Sequence, residues 1–294
     1  DMYSRLPGTD AQRQLASRQG PLAVAVPCNV AGLCYAVKEY GKLDLKTVMQ
    51  PAILMARRGV PINDHMRSVQ KSMLARMKQG KLDQKEFQPL IDEYLNNGKP
   101  WEEKSRFFSP QLKVLELIAE NGRAGFYEGP VADAIVATCG KQGGGILTLQ
   151  DLKDTEPIIR KPLTTSFDGY QILTMPPPSS GGIAIIESFN MIDALEKQVL
   201  KHPFADLKFH SPQELHYLTE VMKHAFADRA EYLGDADFVP VPLERLTDPK
   251  YASRLAARID AKQTKKLKDY GRYIPPKDSG TSHLSVMDAA GNAV

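Results

Sequence analysis

The chain has 294 residues, enough for one large domain or two modest ones, and its 42% apolar and 25% charged composition is that of an ordinary globular protein. Its 38 basic and 35 acidic residues leave a net charge of +3, too balanced to argue for a nucleic-acid or membrane-surface partner. Three cysteines, Cys28, Cys34 and Cys139, form an odd set with no CxxC, which excludes a cysteine metal cluster and argues against a disulfide framework.

The longest uncharged run is GPLAVAVPCNVAGLCYAV, 20–37. Pro27, Asn29 and the glycines interrupt it, so it reads as a buried strand (21–27), a turn and a helix (29–40) rather than a membrane span. Asn29 is the expected cap, Gly41 the end, and Cys28 and Cys34 small core residues. Asp44 opens a short helix, and Pro51 restarts the pattern as far as Gly59. Asp64 caps a stretch with Met66, Val69, Met73 and Met77 at helical spacing, which suits core filling. Residues 82–96 read as an acidic amphipathic helix. SPQLKVLELIAENG, 109–122, places Ser at the cap, Pro at the first position and Gly past the end. Helices over 129–141 and 148–154 follow.

The pattern then changes. Residues 157–175 are rich in β-branched and aromatic side chains, and Asp168-Gly169 between two such runs predicts a hairpin. PPPSSGG, 176–182, leads into an apolar helix, with Ser179 and Ser180 read as turn and cap residues. Residues 211–235 give the strongest helix pattern, with Ser211 and Glu214 as a capping box and Leu215, Leu218, Met222, Ala225 and Phe226 lining one face. Within it, His224, Asp228 and Arg229 of HAFADR read as helix packing and surface ion pairs. His216 and His224, eight apart, have poor metal geometry, and no metal or cofactor is expected. Residues 247–259 form a last helix, and 262–280 an exposed loop whose basic part, KQTKKLKDYGR, is a solvated linker.

A strand is expected from Thr281, with Leu284 and Val286 facing inward and Thr281, His283 and Ser285 on the other face. The plain reading of that polar face is exposure to solvent, with Thr and Ser favoured by β-propensity. A sharper reading makes Thr281 a nucleophile that becomes a chain end. A Thr hydroxyl needs a base, and a free α-amino group, with a pKa of about 7.7–8.0, is one already near neutral pH. Exposing it requires cleavage of the Gly280–Thr281 bond by the Thr281 hydroxyl, and Gly280 carries no Cβ to obstruct that attack.

The segment GTSHLSVMDAAGNAV resembles the start of the small subunit in γ-glutamyltranspeptidases, at their catalytic Thr. LAVAVPCNVAGLCYAVKEYGKLDLKTVMQPAILMARRGVPI, GGGILTLQDLKDTEPIIRKPL, GYQILTMPPPSSGG and HAFADRAEYLGDADFVPVP resemble further segments of that family in order. The resemblance implies an α+β fold, the αββα four-layer sandwich of N-terminal-nucleophile hydrolases, here incomplete and with a large helical portion. It implies a large-subunit region over 1–280 and the start of the small subunit over 281–294. It implies self-cleavage between Gly280 and Thr281, attack of Thr281 on glutathione or another γ-glutamyl compound, and resolution of the ester by water, an amino acid or a dipeptide. His283 and Ser285 become supporting candidates, and the periplasm or cell exterior the expected location. Cys28 stands where the family usually has Gly, which would alter a turn.

The chain opens on Asp1 rather than Met and reads as processed or cut. The family's Arg for the substrate α-carboxylate falls just upstream, and its oxyanion-hole glycines and carboxylate-binding serine pair fall after Val294. This chain alone is therefore expected to be poorly active, with its 280–281 bond intact. Cephalosporin or glutaryl acylases and poly-γ-glutamate depolymerases, which resemble the same family, are the close alternative, and a non-catalytic binding protein on the same scaffold is the other.

Overall fold

The computed structural model describes every residue except 1, 81–84, 86, 273–283, 292 and 294. The chain divides into two compact units, Asp1–Ile158 and Ile159–Val294.

The first unit is helical. It carries α1 (Asp10–Ala16), α2 (Asn29–Tyr40), α3 (Leu45–Arg58), α4 (Asp64–Lys78), α5 (Gln88–Tyr94), α6 (Leu112–Asn121), α7 (Ala124–Tyr127), α8 (Gly129–Cys139) and α9 (Leu149–Lys153). Two short strands, β1 (Val60–Pro61) and β2 (Arg106–Phe107), pair antiparallel. One apolar cluster gathers Ala31, Tyr127, Ala132 and Leu152 from α2, α7, α8 and α9. A second joins Met77 to Ile91 and Leu95, with Met73 against it. The predicted methionine packing is thus present in part, while Val69 is exposed.

Several boundaries follow from local chemistry. Thr148 and Asp151 form a full capping box at α9. Asp44 caps α3 by accepting the Thr47 N–H at 2.8 Å. The predicted break at Pro51 is absent. A single α3 runs through it, because Pro51 removes only one backbone donor and buried Ile53 and Ala56 hold the far half. Asn63, rather than Asp64, caps α4. In α6, Ser109, Pro110 and Gln111 form a preceding turn, so the helix starts at Leu112, although it ends as expected at Gly122, φ 60°. The described part of 82–96 is helical over Gln88–Tyr94.

The expected strand at 21–27 is instead a 3-10 turn, Pro21–Ala23, followed by unpaired extended chain. Pro21 lacks a donor and sets the φ of a helical start, and no described strand lies beside it. Cys28 is exposed rather than core, and Cys34 is half-buried. Cys28 occupies the N-cap position of α2 at φ −104°, so that turn does not require the glycine of the family pattern. Asn29 is the first helical residue rather than the cap.

The second unit begins with the predicted hairpin, β3 (Leu163–Phe167) and β4 (Tyr170–Thr174), in register Phe167 opposite Tyr170. Asp168 and Gly169 both have positive φ, 48° and 79°, as a tight hairpin turn needs. Helix α10 (Gly181–Leu195) follows, then α11 (Pro212–Tyr232), α12 (Leu243–Leu246) and α13 (Pro249–Ala256). The single helix expected over 247–259 starts later, at Pro249, where Asp248 caps it by accepting the Lys250 N–H. Helix α10 packs against the hairpin through stacked Phe167 and Phe189, ring centroids 4.2 Å apart. Gly182 permits that approach, since a Cβ there would sit 2.0 Å from the Met175 carbonyl oxygen. The core of this unit is built from Ile183, Met191, Leu195, Tyr217, Val221, Leu246, Ala252 and Leu255.

The fold is α+β and dominated by helix. Among the described residues the strands form two two-stranded antiparallel pairs. The strand expected from Thr281 has its first three residues outside the described set. Residues 284–286 carry no regular structure, Leu284 and Val286 are exposed rather than inward-facing, and Met287 makes an isolated bridge to Ala293. Strand propensity there meets no sheet partner among the described residues.

Candidate active site

Gly280, Thr281 and His283 lie outside the described residues, as does the bond between 280 and 281. Ser285 is described and exposed. The polar chemistry that the structure does assemble lies upstream, on α11, and the sequence pattern did not point to it. Of the apolar face predicted for α11, Ala225 is buried and Leu218 packs against the core. Leu215, Met222 and Phe226 are exposed, while Glu220, His224 and Asp228 are buried beside Tyr217 and Val221. The carboxylates Glu220 and Asp228 occupy the inner face because neighbouring elements bring donors to them.

Glu220, 1% exposed, is the first such centre. Its Oε1 accepts hydrogen bonds from Lys223 Nζ at 2.8 Å and Thr264 Oγ1 at 2.7 Å. Its Oε2 accepts one from the Tyr270 hydroxyl. Burial raises the Glu220 pKa, but these hydrogen bonds outweigh it and hold the carboxyl below its usual range. The Tyr270 oxygen also accepts the Lys265 N–H at 3.0 Å. The basic segment 262–272 is exposed, as expected of a solvated linker, except at Tyr270, which is buried and ties it to Glu220. Further along, His216 Nε2 donates to the Asp260 carbonyl at 2.7 Å.

The second centre joins α10, α11 and α13. Tyr251 donates to Asp228 Oδ2 at 2.6 Å. Arg245 lies 4.7 Å from the ring centroids of both Tyr232 and Tyr251 and donates to both hydroxyls. Burial, with the Asp228 hydrogen bond, pushes the Tyr251 hydroxyl up to about 12. Glu187 of α10, 1% exposed, faces Asp228. Burial first, then the hydrogen bond and charge of Asp228, push its carboxyl far above the usual range, so it is protonated at neutral pH. Its Oε1 has no hydrogen-bond partner among the described residues.

Between the two centres lies His224, 1% exposed, with neither ring nitrogen partnered among the described residues. Its ring meets Tyr270 edge-on, centroids 4.9 Å apart. Burial, then the charge of Arg258, lower its pKa to about 4, so it is neutral. Arg229, expected in a surface ion pair, donates instead from Nε to Ser180 Oγ at 2.8 Å. Ser180 occupies the N-cap position of α10 without a side-chain capping bond. Among the described residues no cluster of three or more His, Cys, Asp or Glu has the geometry to hold a metal ion. No helix among them is long and apolar enough to cross a membrane.

The family model described as gamma-glutamyltranspeptidase matches residues 1–294. The chain belongs to the gamma-glutamyltranspeptidase family. It is 35% identical over 290 residues to a glutathione hydrolase proenzyme of Pseudomonas sp. (strain A14), covering 95% of this chain and 46% of that one. It is 35% identical over 288 residues to the glutathione hydrolase proenzyme of Escherichia coli K12, covering 97% and 47%. Its structure is similar to that of Helicobacter pylori gamma-glutamyltranspeptidase, with a TM-score of 0.77 and 29% identity over 95% of this chain and 78% of that one. The chain spans about half the length of the curated relatives it matches.

Proposed function

We propose that this chain is part of a self-processing enzyme that transfers or hydrolyses γ-glutamyl groups. Residues 1–280 are its large-subunit region, and 281–294 the start of its small subunit. One observation carries the reading. The family match runs unbroken through residue 294, and thus through the Gly280-Thr281 segment that resembles the family's catalytic start. The relatives named glutathione hydrolase proenzyme support glutathione as a donor and a precursor that is cut.

In the first reaction Thr281 Oγ attacks the Gly280 carbonyl carbon. The peptide C–N bond breaks as the C–O bond forms, and the proton lost from Oγ passes to the departing amine. Water then hydrolyses the ester, leaving a Gly280 carboxylate and a Thr281 with both hydroxyl and free α-amine. In the second reaction that amine takes the Oγ proton while Oγ attacks the γ-glutamyl amide carbonyl. The proton passes to the leaving amine, and a γ-glutamyl ester on Thr281 remains. Water, or the amine of an amino acid or dipeptide, releases it. His283 and Ser285 support the nucleophile. No cofactor is invoked, because one residue supplies nucleophile and base. The complete protein adopts the αββα sandwich and works in the periplasm or outside the cell, as the family resemblance implies.

The test uses the full-length protein beside its Thr281→Ala variant. Intact masses should show two fragments meeting at Gly280/Thr281 in the parent and one uncut chain in the variant. A γ-glutamyl anilide should then be turned over only by the cut protein. A single uncut, natively folded parent refutes the reading.

A further inference from the structure

We infer that Glu220 and Tyr270 are positioning residues for cleavage at Gly280–Thr281: they lock the chain upstream of the scissile bond onto α11. This inference rests on the self-processing proposed above and assigns part of it to residues far from the motif.

The segment 260–270 has little apolar surface with which to hold itself down, and Leu267 is 47% exposed. What fixes it is polar and directional. Thr264, near its middle, and Tyr270, at its end, both donate to the single carboxylate of Glu220. Lys265 N–H donates to the Tyr270 oxygen and closes the small ring. Lys223 Nζ donates to Glu220 and to Thr264 Oγ1, and lies 5.3 Å from the centroid of the Tyr270 ring. Arg258 donates to the Asp269 carbonyl. An apolar contact would tolerate sliding. Two of the three donors to the buried carboxylate come from this segment, so a shift in its register leaves Glu220 with Lys223 of its own helix as its one remaining donor.

The exit from this lock is also defined. Gly271 has φ +140°, a conformation open to glycine, and a Cβ built there would touch the Ala227 Cβ of α11 at 3.4 Å. The chain therefore leaves α11 at a fixed point. Thr281 follows Tyr270 by eleven residues, a reach of at most about 40 Å. A fixed origin narrows the volume that the scissile bond can reach, compared with a chain free to slide along α11. Small misplacements of reacting groups cost on the order of a hundredfold in rate.

The experiment follows cleavage of the full-length protein by intact mass after translation, with thermal midpoints measured on cleavage-blocked Thr281→Ala versions. Glu220→Gln and Tyr270→Phe should each slow cleavage roughly tenfold or more. Tyr270→Phe keeps the ring and its packing against His224, so it decides the matter if Glu220→Gln fails to fold. A Gly-Ser-Gly-Ser insertion after Arg272, between lock and cut, should slow cleavage similarly. The same insertion after Ala261, upstream of the lock, should leave the rate within twofold. A merely structural role for Glu220 predicts no such contrast. Equal effects of the two insertions, or parental rates in a folded Tyr270→Phe, overturn the inference while leaving the self-processing proposal standing. A parent that is never cut removes both.

Discussion

Replacing Glu187 by Gln should change how stability depends on pH. Glu187 is buried between α10 and α11, facing Asp228, which also accepts the Tyr251 hydroxyl at 2.6 Å. Burial and Asp228 raise its pKa, and Arg245 opposes them more weakly. The folded protein therefore holds a proton that the unfolded chain releases above its ordinary pKa of about 4.3. A raised folded pKa gives stability that is complete below the unfolded value and declines as pH rises toward the folded value. The slope is at most about 1.4 kcal/mol per pH unit. Gln has a donor in place of the acidic proton, so the hydrogen bond to Asp228 survives, and nothing at that position titrates. Near pH 5 the two proteins should differ by less than about 1.5 kcal/mol. From pH 6 to 8 the variant should gain on the parent by up to about 2.7 kcal/mol. Urea unfolding of both proteins at half-unit intervals measures the difference directly, and titrating groups that do not touch Glu187 cancel in the comparison. A difference that stays flat from pH 5 to 9 refutes a protonated Glu187.

His224→Phe should act on the opposite limb. Its folded pKa, lowered to about 4 by burial and Arg258, lies below the ordinary 6.5, so its neutral form stabilises the fold above pH 6.5 and that contribution is lost toward pH 4. The Phe variant should flatten acid unfolding in that window by up to about 3 kcal/mol, and unchanged acid midpoints would contradict the placement. Tyr127→Phe removes an oxygen that accepts the Ala31 N–H at 3.0 Å and donates to the Pro27 carbonyl at 2.7 Å. It should cost about 1–3 kcal/mol and speed hydrogen exchange at Ala31, and parental exchange there would count against this anchor of α2. Gly169→Ala puts a side chain at φ 79° in the β3–β4 turn and should lower stability by about 1–2 kcal/mol, read as a fall in thermal midpoint. An unchanged midpoint would mean that the turn relaxes.

The proposed self-cleavage motif was legible as residues, since Gly280-Thr281 pairs an unobstructed carbonyl with a hydroxyl that can acquire its own base. The polar lock on α11 was not. Glu220 and Tyr270 are fifty residues apart in sequence, and no local pattern marks them as partners. KQTKKLKDYGR looks like a solvated linker because its lysines are exposed, while Tyr270 among them is buried and Thr264, itself exposed, bonds to buried Glu220. Cys28 and Cys34 were assigned to a core from apolar neighbours in sequence, but which side of α2 is covered depends on Tyr127, Ala132 and Leu152, about a hundred residues away.

By itself the sequence determined what neighbouring residues decide. Asp168-Gly169 supplies the positive φ of a hairpin turn, Thr148 and Asp151 close a capping box, Ser211 and Pro212 start α11, and Gly122 ends α6. Each is satisfied within a few residues by backbone geometry or one hydrogen bond. Only the tertiary structure decided which face of α11 is inside. Hydrophobicity pointed to Leu215, Met222 and Phe226. Burial went instead to Glu220, His224 and Asp228. A carboxylate can enter a core only where donors or a shared proton meet it. Those came from Thr264, Tyr270, Tyr251 and Glu187, which the fold alone brings to the same helix.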